Sequence, residues 1–121
     1  MDRTILVVDD FADARDFMKF IIESYGYKVV EAADGIEAIA VLKEHFPNLI
    51  LMDIAMPVMD GLTATKNIRT IKYGTEIPII AVTAHGKEFH GKAIAAGCNA
   101  VIEKPVDFDS LENIIKQYLD A

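Results

Sequence analysis

The sequence has one cysteine, few basic residues and no long apolar run, and each shortage excludes a class of protein. Cys98 alone cannot form an internal disulfide or a thiolate zinc site, so we expect a small buried hydrophobe there. The 19 acidic residues outnumber the 12 basic ones, and the formal net charge of -7 argues against direct nucleic-acid binding. No run approaches the roughly 20 apolar residues of a membrane span, and no signal-peptide pattern is present. We therefore expect no membrane partner and a cytoplasmic location.

The length and apolar content indicate one globular domain. A chain of 121 residues with 52% hydrophobic residues is long enough to bury a core without disulfides or metals. No linker, internal repeat or low-complexity tract interrupts the chain. We therefore expect residues 1–121 to form a single domain, while the sequence leaves open whether an output domain was removed from a longer protein.

Short apolar runs alternate with amphipathic segments along the whole chain. This alternation predicts strand-helix units that build a parallel sheet covered by helices on both faces. The runs are rich in Val and Ile and are bounded by turn residues. The predicted strands are residues 5–8, 28–30, 49–52, 79–82 and 100–102.

Apolar residues at helical spacing predict a helix after each strand. Gly26 ends the first helix, and Asp34 begins the second with Glu37 three residues later, as in a capping box. The other helices are predicted at residues 62–71, 87–96 and 108–118. The residues expected to be buried by the second helix are Ala38, Ile39, Leu42 and Phe46.

Polar side chains fall where the predicted strands end. The residues that share this position are Asp9, Asp10, Asp53, Thr83 and Lys104. Ligands bind outside the carboxyl ends of the strands in an open parallel sheet, so we expect these side chains to converge on one pocket. Clustered carboxylates need a proton or a hard cation, and an all-oxygen acidic site of this size suits Mg²⁺. An acid cluster with a hydroxyl and an ammonium group indicates a site for a phosphoryl group.

Asp53 differs from the other two acids because it stands alone at its strand end. It precedes a loop in which Pro57 and Gly61 are expected to fix the backbone. A lone carboxylate beside a metal can act as a nucleophile toward phosphorus. Each of these features taken alone is more often a cap, a turn or a surface charge, and only their combination at one sheet edge predicts a function.

The histidines do not show a metal-binding pattern. His85 and His90 lack the i, i+4 spacing of a helical metal pair, and His45 lies near a predicted helix end. We expect all of them to be solvated or to cap helices.

Four motifs carry a resemblance to a known family. They are VVDD at 7–10, LILMDIAMPVMDG at 49–61, AVTA at 81–84 and EKP at 103–105. The order and spacing of these motifs make the chain resemble the receiver domain of bacterial two-component response regulators over essentially its whole length. The resemblance implies an α/β, flavodoxin-like (βα)5 fold with a five-stranded parallel sheet of order 2-1-3-4-5. It also implies a signalling switch whose phosphorylated form alters partner binding.

The resemblance assigns roles to the acidic residues. It implies that Asp53 accepts a phosphoryl group from a kinase phosphohistidine in a Mg²⁺-dependent reaction. Asp10 is implied to be a direct Mg²⁺ ligand and Asp9 to act largely through water. The main-chain carbonyl of Ala55 is implied to complete the metal shell, which also includes Asp53.

The last two motifs imply further contacts, and one position departs from the family. Thr83 and Lys104 are implied to contact the phosphoryl oxygens, and a cis bond before Pro105 is implied to aim Lys104 into the pocket. Receivers commonly place an aromatic residue three positions before this lysine, but here that residue is Val101. Valine has no ring to swing and is stiff at χ1, so we expect a smaller signal at the face formed by the fourth helix, the fifth strand and the fifth helix.

The resemblance also implies the kind of partner. The phosphodonor is implied to be a sensor histidine kinase or a histidine phosphotransfer protein, and the downstream target is an unidentified protein. The chain itself is implied to be a monomer or a weak dimer. We expect no enzyme in the usual sense, because the chain transfers a phosphoryl group only to its own aspartate and slowly hydrolyses it.

Other functions are weighed against this one. A phosphatase of the haloacid dehalogenase superfamily needs a second Asp two residues after the nucleophile, where this chain has Ala55. A flavin-binding module needs a Thr/Ser/Gly-rich phosphate loop after the first strand, where this chain has DDFADAR. A degenerate receiver that acts as a constitutive scaffold is supported only by Val101.

Overall fold

The computed structural model describes residues 3–56 and 58–120, so the predicted role of Pro57 lies outside the described residues. Strands and helices alternate along the chain. The strands are β1 (Thr4–Val8), β2 (Lys28–Ala32), β3 (Leu49–Asp53), β4 (Ile79–Thr83) and β5 (Ala100–Glu103). The helices are α1 (Ala12–Ser24), α2 (Gly35–His45), α3 (Gly61–Arg69), α4 (Gly86–Ala96) and α5 (Phe108–Leu119), with a 3₁₀ turn at Lys72–Gly74 after α3.

The strands form one parallel sheet in the order β2-β1-β3-β4-β5. The predicted flavodoxin-like fold and strand order are therefore confirmed. The chain reverses direction of winding between β1 and β3, and this point is where open α/β sheets bind their ligands. Helices of eleven or more residues join most of the strands, as parallel connections require.

Helices cover both faces of the sheet. The inner strands β1, β3 and β4 are therefore apolar on both of their faces, as expected for a parallel sheet. Helices α1 and α5 cover one face, where they pack against alternate strand residues such as Val7 and Leu51. Helices α2, α3 and α4 cover the other face, around Leu6 and Ile50. Cys98 is buried in this second cluster, as predicted for a small hydrophobe. No helix within residues 3–56 and 58–120 is long and apolar enough to cross a membrane.

The helix boundaries follow local chemistry. Asp34 begins α2 by accepting a hydrogen bond from the Glu37 N–H at 2.8 Å, which confirms the predicted N-cap. Gly26 follows α1 with a φ of 98°, a left-handed conformation that suits glycine. Helix α3 ends at Arg69, two residues before the predicted end, because the chain tightens into the 3₁₀ turn.

The burial predicted for Phe46 is wrong. Its side chain is 57% exposed, and its backbone leaves α2 in the left-handed region with a φ of 48°. The change of direction takes the ring off the apolar stripe of α2, and the following Pro47 is buried instead. The Phe46 ring packs edge-on against Tyr73 with 5.0 Å between ring centroids.

Candidate functional site

Three carboxylates meet at the carboxyl edge of the sheet. Asp9 and Asp10 directly follow β1, and Asp53 is the last residue of the neighbouring strand β3. One oxygen from each of the three lies within 4.8 Å of the others. The convergence follows from the topology, because β1 and β3 are adjacent parallel strands that end at the same edge.

Asp53 is the most buried of these acids, with 6% of its surface exposed. Its Oδ1 accepts a hydrogen bond from the Ala55 N–H at 3.2 Å, and its Oδ2 lies 3.7 Å from Lys104 Nζ. The pKa of Asp53 is raised to about 6, chiefly by burial and also by the neighbouring Asp9 and Asp10, while Lys104 and the Ala55 N–H act to lower it. The carboxyl therefore holds its proton more tightly than an exposed aspartate does.

Thr83 and Lys104 reach the same place from β4 and β5. The main-chain N–H of Lys104 donates to the Thr83 carbonyl at 2.8 Å, which ties the ends of the two strands together. The Thr83 hydroxyl is buried and accepts a hydrogen bond from the His85 N–H at 3.1 Å, so its own proton stays available to a ligand. The Lys104-Pro105 bond is cis, as the resemblance implied.

All of these residues line one cleft of about 350 Å³. The cleft lining contains every site residue predicted from the sequence: Asp9, Asp10, Asp53, Ala55, Thr83 and Lys104. Their individual roles stay a prediction. The cleft also includes Phe11 and His85, which sequence reasoning did not assign to the site. The sequence does contain one indication for His85. It lies two residues after Thr83, the last residue of β4, and is therefore still close to the carboxyl edge of the sheet.

Gly61 lets the loop after β3 fold back against the site. A Cβ on this residue would lie 2.2 Å from the Asp53 carbonyl oxygen and 2.9 Å from the Ile54 Cα. Its N–H donates to the Ile54 carbonyl at 2.9 Å. Only glycine allows the backbone to approach this closely, so Gly61 holds the loop against the end of β3 at Asp53 and Ile54.

The donor set fits a magnesium ion. Mg²⁺ prefers oxygen ligands at about 2.0–2.1 Å, so oxygens on opposite sides of the ion lie about 4.2 Å apart. The observed spread of the carboxylate oxygens, within 4.8 Å, needs only a small contraction to reach that geometry. The cleft also contains Ala55, whose carbonyl was predicted as a ligand. The acids Asp9, Asp10 and Asp53 are therefore suited to hold the ion.

An apolar cavity of about 230 Å³ adjoins the cleft between α1 and the loop that follows β5. Its walls include Met18, Pro105 and Val106, and it shares Asp53 and Lys104 with the acidic cleft. Phe17 lines this cavity and Phe11 lines the acidic cleft, and their side chains are 54% and 59% exposed. Exposed aromatic side chains beside a cleft favour a protein contact there.

Val101 lies on the opposite side of the site, in β5. It lines an open groove of about 370 Å³ between α4 and β5, together with Gly86, Lys87, His90 and Glu103. Val101 pairs with Ala81 in β4, two residues before Thr83. The small side chain therefore leaves space between the strand and α4.

A doubly wound parallel sheet with an acid cluster, a hydroxyl and an ammonium group at its switch point defines an α/β protein built to bind a phosphoryl group. The sequence profile of the response regulator receiver domain matches residues 5–116, and the chain belongs to this family. It is a receiver domain of the response regulator type, a signalling protein of two-component systems. This membership decides against the phosphatase and flavin hypotheses.

Similar proteins agree with this assignment. The chain is 35% identical to the polar-differentiation response regulator DivK of Brucella ovis, over 98% of each chain. It is 32% identical to the receiver domain of a sensor histidine kinase from Pseudomonas aeruginosa, with a TM-score of 0.92 over 100% of both chains. That structure has a magnesium ion coordinated in its active-site cleft. A CheY-like receiver domain from Methanospirillum hungatei is 35% identical, with a TM-score of 0.90 over 99% of this chain and 95% of that one.

Proposed function

We propose that Asp53 accepts a phosphoryl group from a phosphohistidine in a Mg²⁺-dependent reaction, and that this modification switches the affinity of the chain for a target protein. The observation that carries the proposal is the placement of a buried Asp53 carboxylate beside two further carboxylates and the Lys104 ammonium, in a single cleft. A buried carboxylate that lies near both an ammonium group and a pair of metal-binding acids is suited to react with a dianionic phosphoryl group.

Three acids and one carbonyl are proposed to hold the metal. Asp10 is the direct ligand from β1, Asp9 acts largely through water, and Asp53 and the Ala55 carbonyl complete the protein ligands. A Mg²⁺ ion held there would supply positive charge to the phosphoryl oxygens and to Asp53. Support comes from the all-oxygen donor set and from the ion found in the related receiver of known structure.

The proposed transfer is an in-line displacement at phosphorus. An Asp53 carboxylate oxygen forms a bond to phosphorus while the phosphorus–nitrogen bond to the donor histidine breaks. The electron pair of the broken bond stays on the imidazole nitrogen of the donor. The ionised form of Asp53 is required, and the nearby Lys104 ammonium favours that form.

Thr83 and Lys104 are proposed to bind the transferred group. The Thr83 hydroxyl keeps a free proton to donate to one phosphoryl oxygen, because its oxygen already accepts from the His85 N–H. Lys104 leaves Asp53 to bind another phosphoryl oxygen and so balances the added negative charge. Any movement of Thr83 toward the group then pulls on the start of α4 through His85.

The partner is proposed to be a sensor histidine kinase or a histidine phosphotransfer protein. The exposed Phe11 and Phe17, which line the cleft and the adjoining cavity, supply apolar surface for a protein donor. Histidine kinases draw their phosphoryl group from ATP, so the proposed location is the cytoplasm. We further propose that residues 1–121 form one receiver domain, monomeric or weakly dimeric, that transfers phosphoryl only to its own aspartate and slowly hydrolyses it.

Intact mass spectrometry after incubation with acetyl phosphate and Mg²⁺ tests the proposal. The wild type is expected to gain one phosphoryl group, and the gain is expected to disappear with a chelator. Asp53→Asn is expected to gain none, while Asp16→Asn, at an exposed position of α1, is expected to react like the wild type. A folded wild-type chain that gains nothing from acetyl phosphate or from histidine kinases would favour the constitutive scaffold.

A further inference from the structure

Arg15 connects α1 to the acid cluster. Its Nη1 donates to the main-chain carbonyl of Asp9 at 2.7 Å. The Phe11 N–H donates to Asp9 Oδ1 at 2.9 Å, and the Asp9 N–H donates to the Ala32 carbonyl at 3.1 Å. The backbone and the side chain of Asp9 are therefore both held in place, and Arg15 is the only side chain among these donors.

The Asp9 carbonyl matters because it belongs to the peptide group that joins Asp9 to Asp10. A peptide group is rigid and planar, so holding its oxygen also holds its N–H and the position of the next Cα, which is that of Asp10. Within residues 3–56 and 58–120, no hydrogen bond holds the Asp10 side chain, and Asp10 is exposed. The contact from Arg15 thus fixes the position of the Asp10 Cα, from which the Asp10 carboxylate reaches into the cleft.

Glu31 in β2 holds the other side of the guanidinium. Its Oε1 lies 3.6 Å from Arg15 Nε, and its Oε2 lies 3.9 Å from Lys19 Nζ. Both Arg15 Nε and Glu31 Oε1 are shut off from solvent, and neither has a hydrogen-bond partner in residues 3–56 and 58–120. The separation is too long for a hydrogen bond, so the short contact of Arg15 is the one to the Asp9 carbonyl.

We infer that Arg15 is a positioning residue for the metal centre, acting through the Asp9 main chain to hold the Asp10 carboxylate where a magnesium ion needs it. The inference rests on the proposed function of the acid cluster. Glu31 offsets the charge of Arg15, which would otherwise repel a divalent cation. Partners of this kind orient metal ligands, and their loss weakens metal binding.

Arg15 has two effects on the affinity for Mg²⁺ that are opposite in sign, and a substitution separates them. If Arg15 acts only as a nearby positive charge, then its removal strengthens Mg²⁺ binding. If it positions Asp10, then its removal weakens the binding. Lys19 is a matched control, because it lies one turn along the same helix and contacts the same Glu31 carboxylate from the opposite oxygen.

Isothermal titration calorimetry with Mg²⁺ alone measures whether each substitution raises or lowers the affinity. Arg15→Met is expected to weaken binding about tenfold, the lower end of the effect of losing such a partner. Lys19→Met is expected to bind Mg²⁺ at least as tightly as the wild type. Arg15→Lys keeps the charge but cannot reach both neighbours with a planar fork, so we expect an intermediate loss.

A second measurement needs no metal. The ¹³C chemical shift of the Asp9 carbonyl is expected to move in Arg15→Met and Arg15→Lys but not in Lys19→Met. Unchanged or tighter Mg²⁺ binding in both Arg15 variants would overturn the inference while leaving the proposed function intact. If Arg15→Met does not fold, Arg15→Lys decides the question alone. A wild-type chain that binds no Mg²⁺ would overturn the proposed function and this inference with it.

Discussion

Lys104 Nζ lies 3.7 Å from Asp53 Oδ2, yet the pKa of Asp53 is raised to about 6. Burial is the largest cause, and it outweighs the partly exposed ammonium of Lys104. The site is therefore arranged for a second source of positive charge. In its absence, the Asp53 carboxyl retains a proton at a pH where an exposed aspartate has lost it.

Asp53→Asn is expected to stabilise the fold near neutral pH. The folded chain binds the Asp53 proton more tightly than the unfolded chain, in which the pKa of this aspartate is near 3.8. The free energy of unfolding therefore falls as the pH rises from about 4 to about 6. Asparagine does not ionise and escapes this loss, which amounts to about 3 kcal/mol above pH 6. Urea unfolding without Mg²⁺ at about pH 7 measures the difference, which is expected to vanish below about pH 4.

The control for this prediction is Asp16→Asn, because Asp16 is exposed on α1. It is expected to unfold like the wild type at both pH values. Equal stability of Asp53→Asn and the wild type near neutral pH would contradict the raised pKa.

Lys104→Met is expected to separate metal binding from phosphoryl transfer. Without the ammonium, the pKa of Asp53 is expected to rise further above about 6, since Lys104 is the main group that lowers it. A competing cation is also lost, so Mg²⁺ is expected to bind more tightly. The initial rate of phosphorylation by acetyl phosphate is expected to fall at least about tenfold, because the variant cannot make the proposed charge-assisted contact to the phosphoryl group.

Carboxyl ¹³C titration, calorimetry with Mg²⁺ and intact mass measure the three effects. Lys116→Met is the matched control, because Lys116 pairs with Glu112 on α5 and does not line the cleft. A variant of Lys104 that is phosphorylated at the wild-type rate would remove Lys104 from the proposed mechanism.

The sequence predicted the sheet and the members of the cleft because both depend on strand ends. A run such as residues 49–52 followed by Asp53 defines a strand and its carboxyl edge, and parallel strands bring such edges together. The prediction for Phe46 was wrong because helical spacing does not show where the backbone turns left-handed. Arg15 was missed because its partner is a main-chain carbonyl, which leaves no pattern in the side chains.

Gly61→Ala is expected to damage the fold and the site together. The new Cβ would clash with the Asp53 carbonyl oxygen at 2.2 Å, so the loop or the strand end has to move. Overpacking of this kind costs about 1–3 kcal/mol, and it displaces Asp53 and Ala55. Urea unfolding and Mg²⁺ calorimetry measure the two losses.

Gly91→Ala supplies the opposite result as a control. A Cβ on Gly91 in α4 has no atom within 4 Å, so alanine only improves helix propensity. We expect a gain of about 0.5–1 kcal/mol and unchanged Mg²⁺ binding. Wild-type stability in Gly61→Ala would show that the loop moves freely and does not fix Asp53.

Val58→Gly is expected to stabilise the chain. Val58 has a φ of 67°, which is a strained conformation for a β-branched residue, and its side chain is 78% exposed. Glycine relieves the strain at little loss of packing, so we expect a gain of about 1 kcal/mol in the free energy of unfolding. Val58→Ala keeps a Cβ and is expected to gain less. A loss of stability in Val58→Gly would indicate that Val58 makes contacts that outweigh its strain.

Val101→Tyr is expected to extend the response to phosphorylation from α4 to α5. In the wild type, we expect the signal to pass from Thr83 through its hydrogen bond with His85 to the start of α4, because the small Val101 supplies no ring to the groove between α4 and β5. Amide chemical shifts measured with Mg²⁺ and beryllofluoride, a phosphoryl mimic, are therefore expected to change at residues 83–96 and little in α5. We expect a tyrosine ring in this groove to couple the position of Thr83 to β5, so the chemical-shift changes in Val101→Tyr are expected to reach α5.

Ile94→Tyr is the control, because it adds a ring at an exposed position of α4 outside that groove. It is expected to respond like the wild type. Large changes in α5 of the wild type would mean that the switch reaches this helix without an aromatic residue at 101.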